Sequence, residues 1–161
     1  MSNLSKLIVS KFLGNLYFAV PIQTLFLFAK GLSFTEIMLL ESVFLLGDFL
    51  FEIPTGILGD RIGRKWSIAI GKLLAILSWI PWFLGEGFWM FALSFFIGGI
   101  SHAFQSGSDE ALIYDELKSQ GRESLMQKIM GRYLASMTFG FGLAALVGGF
   151  LAVNQHMEEF Y

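Results

Sequence analysis

An all-α, polytopic membrane helix bundle with about five transmembrane helices is the fold class this sequence predicts, at roughly 20 residues for each span. Three observations predict it. Apolar residues make up 55% of the 161-residue chain and charged ones only 15%, with a mean hydropathy of +0.64, and a soluble domain needs more polar surface than that. Long charge-free runs recur, each near the length that crosses a bilayer. Basic residues gather in alternate loops. With the spans placed, the chain reads as one membrane domain over 1–161, without linker, low-complexity tract or second domain. It has no cysteine, which excludes a disulfide framework and a thiolate metal site.

The first span is expected at 12–29, between Lys11 and Lys30. Lys6, Lys11 and the apolar run after them imitate a secretory leader. The run is longer than a leader's core, however, and ends on Phe28, Ala29 and Lys30 with no small-x-small cleavage pattern. It therefore stays attached as a helix. Ser33, Phe34, Thr35 and Glu36 spell a capping box, in which hydroxyl and carboxylate satisfy reciprocal orphan amides at a helix start. Helix two is expected to begin there and to span 37–58, forming an antiparallel hairpin with helix one. The third span, 66–85, carries only Lys72, whose stem can snorkel to the interface. The fourth, 87–117, is charge-free as far as Ser108, and the fifth, 127–155, is charge-free from Tyr133. The longest connection, about 117–126, is polar.

Alternating spans put Lys6, Lys11, Arg61, Arg64, Lys65, Lys118, Arg122, Lys128 and Arg132 on one side and Lys30 on the other. Basic residues resist translocation, so the crowded side is cytoplasmic. The expectation is a multi-pass protein of the cell membrane with its N-terminus inside and its acidic tail, Glu158 and Glu159, outside.

Helix two carries acids. Glu41, Asp48 and Glu52 stand at i, i+7 and i+11, within about 40° of one another around the helix. A carboxylate at mid-bilayer costs roughly 2.5–3.5 kcal/mol on insertion scales, so partners, protonation or a wet cavity are needed. Glu41 lies near the outer end, where water reaches it. Asp48 and Glu52 lie deeper and are candidates for proton coupling or a polar path; the alternative is a structural pairing with Lys72, the one intramembrane partner the sequence offers. On helix four, Ser94, Gly98, Ser101, Gln105 and Ser108 share a face, with His102 and Asp109 on its flank. Such a stripe lines an aqueous path or lets helices pack closely. His102 and Gln105 are the candidates for substrate or proton contact. Asn15, Gln23 and Thr24 in helix one are equally open.

Residues 56–65 read GILGDRIGRK, a glycine-punctuated, charge-dense turn between two apolar spans. Gly56 and Gly59 remove side chains so that another helix can approach, and Gly63 allows a left-handed turn. Asp60 can meet orphan amides at a helix start, while Arg61, Arg64 and Lys65 hold the inner side and can pair with carboxylates. A merely positive-inside loop explains the bases but not the spacing of Gly56, Asp60 and Gly63. The spelling resembles the signature loop between helices two and three of the major facilitator superfamily. In that family the loop stabilises the outward-open state through the other half of the transporter and an acid at the inner end of helix four. The resemblance makes Asp115 the candidate for that acid, with Asp109 and Glu110 as alternatives.

Helix five is similar to the glycine pattern of the superfamily's antiporters, with Gly131, Gly140, Gly148 and Gly149 as helix-packing positions. Ala144 and Ala145 replace its Gly-Pro pair, which keeps close packing and removes the proline kink. The resemblance covers roughly 12–153 and implies secondary transport of a small-molecule substrate, by a protein of about twelve helices in two halves about a midplane site. It implies that this chain is an N-terminal fragment of a facilitator, ending before a sixth helix, whose partners are the lipid bilayer and a missing C-terminal half. Efflux coupled to protons is the first expectation, with uptake behind it. The alternative is a small helical membrane protein that regulates or scaffolds a partner. An enzyme is not expected: Asp109, Glu110, Asp115 and Glu116 could hold a metal for phosphate transfer, but no supporting motif surrounds them. No cofactor is expected, and the few membrane-flanking bases give no basis for nucleic-acid binding.

Overall fold

The computed structural model describes residues 3–17, 20–85 and 87–154, and every regular element among them is helical. In chain order these are α1 (Asn3–Gly14), α2 (Val20–Ala29), α3 (Phe34–Ile62), α4 (Arg64–Leu77), α5 (Ile80–Leu84) and α6 (Phe88–Ser119), then a 3-10 turn (Glu123–Leu125) and α7 (Met126–Asn154). Among the described residues, three helical stretches are long and apolar enough to cross a membrane: Arg64–Leu84, Phe88–Ser119 and Glu123–Phe150. α3 has 29 residues, about 43 Å at 1.5 Å per residue, ample for a hydrocarbon core near 30 Å. Its apolar run is interrupted by Glu41, Asp48 and Glu52.

The first expected span is two helices and not one. Asn15 ends α1 by donating from Nδ2 to the Lys11 carbonyl at 2.8 Å, while its backbone N–H also reaches Lys11. α2 then starts afresh with Pro21 in its first turn, where a missing N–H costs nothing. An uncharged run shows apolarity, not helical continuity. Similarly, the expected third span is α4 followed by α5, because Pro81 cannot donate and the chain tightens at Ser78 and Trp79, where the Trp79 amide bonds to Ile76. The expected tail acids Glu158 and Glu159 lie outside the described residues.

The chain divides into two compact units. The first joins the described parts of Met1–Ala29 and Ile113–Tyr161. Its core is Ile113, Leu117 and Tyr133, against which Leu7, Leu125, Met126, Ile129 and Met130 pack. α1 crosses α7 at Gly140, where an added Cβ would stand 2.8 Å from the Phe12 carbonyl oxygen. Beside that crossing Phe12 stacks on Phe139 at 6.3 Å, and Lys11 Nζ lies 5.2 Å above the Tyr133 ring. The polar connection expected at about 117–126 is shorter than that. α6 closes in a Schellman motif, with the Arg122 N–H on the Leu117 carbonyl and the Gly121 N–H on Lys118, and Gly121 takes the positive φ the motif requires.

The second unit is Lys30–Leu112. The capping box forms as expected: the Glu36 amide donates to Ser33 Oγ at 3.3 Å, and the Ser33 amide donates to Glu36 Oε2 at 2.8 Å. Ser33 Oγ also donates to Glu36 Oε2 at 2.7 Å, and this bond together with that of the Ser33 amide holds the Glu36 carboxyl below its usual range. α3 meets α6 with almost no space between backbones. An added Cβ at Gly47 would stand 2.7 Å from the Phe96 carbonyl oxygen, and one at Gly99 would collide with the Phe44 carbonyl. At the residue after Pro54, a proline inside α3, the contact continues as Thr55 Oγ1 donates to the Ala103 carbonyl at 3.2 Å.

α4 meets α6 through hydroxyls. Ser101 Oγ donates to the Gly71 carbonyl at 2.8 Å, and Ser67 Oγ to the Phe104 carbonyl at 3.1 Å. Further along, Trp82 Nε1 donates to Ser94 Oγ at 2.6 Å, and Ser94 Oγ to the Ser78 carbonyl at 2.5 Å. The serine stripe is therefore a packing seam, which settles that half of the alternative read from the sequence.

Two outcomes check this packing. Gly99→Ala lowers stability in detergent by about 1–3 kcal/mol, the usual cost of overpacking, whereas Gly98→Ala is tolerated because its Cβ would lie 3.5 Å from the Phe44 ring. Equal unfolding curves for the two would refute the crossing. Glu36→Ala lowers stability at neutral pH. Because the folded-state pKa is depressed, that deficit is present above the unfolded value of about 4.3 and fades as pH falls through the folded value. Thermal scans of both proteins at several pH values read it.

Candidate functional site

Two arrangements in the second unit each bring together two of the ionisable groups singled out in the sequence. The first is the joint between α3 and α4. Gly63 ends one helix and begins the next with φ +95°, a conformation that favours glycine. Its N–H closes α3 on the Gly59 carbonyl at 3.0 Å, and its own carbonyl accepts the Trp66 and Ser67 amides. Asp60 bridges the joint to Arg64, Oδ1 to Nη2, at 2.6 Å. The aspartate thus meets a guanidinium four residues on. Arg61 and Lys65 are exposed.

Gly59 does what the sequence leads one to expect. An added Cβ there would stand 3.3 Å from both Ser108 Oγ and Ser67 Oγ, so α3, α4 and α6 converge on it. Gly56 does not, since among the described residues nothing lies within 4 Å of a Cβ built there. The expectation of a close approach at Gly56 is corrected: the apposed surface lies one turn further, where the serines are.

The second arrangement is an aspartate–histidine pair between α3 and α6. Asp48 Oδ1 lies 3.0 Å from His102 Nδ1, joining α3 to α6. The Phe44 ring sits 5.9 Å from the imidazole. Asp48 is 26% and His102 53% exposed, so the pair lies on the flank of the crossing and not in its core. The sequence offered Lys72 as the partner of the acids, whereas the structure supplies His102. Gly47 precedes Asp48, and Gly99 stands one helical turn before His102; the touching glycines bring these two side chains together. That glycine pair is the signal sequence reading missed.

The remaining candidates separate. Glu52 and Glu41 are exposed on α3. Gln105 faces α4: its Nε2 donates to Ser101 Oγ at 3.2 Å, and its stem packs against Gly71. It is held by the serine seam. Asp115, on the part of α6 that belongs to the first unit, is exposed, as is Glu110, whereas Asp109 is buried. Of the helix-five positions Gly140 makes a close crossing and Gly148 is buried, but Gly131 and Gly149 face open space among the described residues. No group of three or more metal-ligating side chains gathers among the described residues.

A helical chain with a glycine joint between two long helices, and an aspartate–histidine contact between α3 and α6, has the features of a polytopic transporter segment. Residues 8–157 match the Major Facilitator Superfamily, and the chain belongs to that family, a family of multi-pass proteins of the cell membrane. It is 31% identical over 142 residues to the quinolone resistance protein NorA of Staphylococcus aureus (strain MRSA252), covering 88% of this chain and 36% of that protein. The uncharacterized MFS-type transporter YxaM of Bacillus subtilis (strain 168) is 33% identical over 90 residues, covering 56% of this chain and 23% of that one. The chain spans about a third or less of the length of these relatives.

An exposed i,i+4 pair contributes about 0.3–0.5 kcal/mol, so Asp60→Asn leaves unfolding in detergent nearly unchanged. Gly63→Ala forces a side chain into the positive-φ region and costs of order 1–3 kcal/mol. Denaturation of the two variants in parallel checks the ranking, and a larger loss in Asp60→Asn contradicts it.

Proposed function

We propose that this chain is part of a secondary transporter that carries a small organic solute out of the cell, driven by protons. The observation that carries the reading is an ionisable pair, Asp48 with His102, inside the span of a facilitator-family chain. Charge in a span is expensive, and its default role is an ion or substrate pathway. Asp48 and Glu52 on α3 serve as the acidic side of that pathway. Quinolone resistance in the similar S. aureus protein supports outward movement of a small organic compound.

The Gly63 joint serves as the gate. Its Asp60–Arg64 bridge holds α3 and α4 at a set angle in one state, and an acid such as Asp115 serves the gate in the other, as the resemblance implies. The N-terminus lies in the cytoplasm, because Arg61, Arg64 and Lys65 then stay on the side where basic residues accumulate. Since relatives are about three times longer than the matched stretch, further helices complete the solute path.

The test is proton-driven flux of fluorescent organic solutes in vesicles holding the whole transporter. Asp60→Asn and Asp48→Asn are each expected to slow flux by roughly 5- to 150-fold, the size of a 1–3 kcal/mol coupling energy. Wild-type flux in both variants at normal expression sinks these roles. A wild-type protein that moves no solute under any gradient points instead to a regulatory or scaffolding membrane protein.

A further inference from the structure

Imidazole is the side chain whose charge ordinarily changes between pH 5 and 8, and here one lies against a carboxylate within a span. His102 presents Nδ1 to Asp48 Oδ1 at 3.0 Å, while the imidazole as a whole remains half exposed. An ionised carboxylate only accepts hydrogen bonds, so the neutral imidazole that satisfies it carries its hydrogen on Nδ1. The lone pair is then on Nε2, on the far side of the ring from Asp48. We infer that His102, oriented by Asp48 through Nδ1, is the group that takes up a proton at this crossing, on Nε2, while Asp48 stays a carboxylate. The inference rests on the proton-coupled reading above and assigns its atom.

The step balances simply. A hydronium or buffer acid gives its proton to the Nε2 lone pair, no other bond breaks, and the Nδ1–H bond to Asp48 persists. The net charge of the pair goes from −1 to 0. A lone negative charge in a bilayer needs water, whereas a hydrogen-bonded neutral ion pair tolerates a drier setting far better. Protonation therefore lets the α3–α6 flank leave water, and deprotonation holds it wet. Other ionisable groups on these helices within the second unit, away from the Glu36 cap and the Gly63 joint, are Glu41 and Glu52 on α3, Lys72 on α4, and Asp109 and Glu110 on α6. Among the described residues it is Asp48 that comes within ion-pair distance of His102. Asp48 is thus a positioning residue, and its role is separable from that of the proton acceptor.

The chain has two histidines, so His156→Gln leaves one imidazole to observe. The protein is labelled with 15N-histidine, placed in lipid nanodiscs, and followed by NMR from about pH 8 to about pH 5, the range in which imidazole titrates. The expected spectrum at the alkaline end is the Nδ1–H tautomer, with Nε2 gaining its proton on acidification while Nδ1 changes little. Asp48→Ala should convert the neutral ring to the Nε2–H form. Asp48→Asn, whose amide oxygen still accepts, should keep the Nδ1–H form and covers the case in which the alanine variant misfolds. A predominant Nε2–H tautomer in the parent, a tautomer indifferent to Asp48→Ala, or an imidazole that stays neutral down to the acid end overturns the inference. These readings need no transport, so a parent protein without proton-driven flux defeats the functional proposal and leaves the proton site to be decided by the spectra. If flux is present, His102→Asn should abolish its dependence on the proton gradient, and a retained dependence also overturns the inference.

Discussion

The contact between α3 and α6 in the second unit depends on two helices touching backbone to backbone. In lipid no hydrophobic force draws α3 to α6, because the surrounding tails are as apolar as the helices; association comes from close packing and hydrogen bonds. Gly47 and Gly99 remove the side chains that would hold the helices apart. With the axes that close, Thr55 Oγ1 can reach the Ala103 carbonyl and Asp48 can reach His102, at 3.2 and 3.0 Å. Both distances would open with any bulkier residue at the glycines.

The α4–α6 contact uses a different chemistry. Ser67, Ser94 and Ser101 are buried; Ser67 and Ser101 send their hydroxyl hydrogens to backbone carbonyls of the neighbouring helix, and Ser94 to that of Ser78, the residue capping α4. No buried side-chain nitrogen or oxygen among the described residues lacks a hydrogen-bond partner, as a low-dielectric surrounding demands. The first unit combines a glycine crossing at Gly140 with ring stacking and a lysine over tyrosine, and α6 is ended there by the turn at Gly121.

Local features were legible in the sequence wherever the deciding atoms lie within a few residues of one another. The Ser33–Glu36 box and the left-handed Gly63 belong to this group, as does the helical class itself, since period and apolarity are properties of one segment. Contacts between segments were less legible. Helix two and helix four each showed a polar face, but which helix each face meets depends on where glycines let backbones approach. Hence Lys72 stood where His102 belongs, Gly56 was given the close contact that Gly59 makes, and Gly131 and Gly149 were given neighbours like those of Gly140. The break between α1 and α2 was hidden for another reason. Asn15 and Pro21 end and restart helices without adding charge, and an uncharged run was the criterion for a span.

The serine rungs between α4 and α6 contain no group that titrates at any pH a cell meets. Acidification therefore leaves that seam as it is, while the seam on the other face of α6 carries an imidazole. One helix is thereby clamped on one side and adjustable on the other. The hydroxyl rungs tie α4 to α6, while the imidazole of His102 meets the α3 carboxylate of Asp48, so the contacts of α6 with its two neighbours differ in kind.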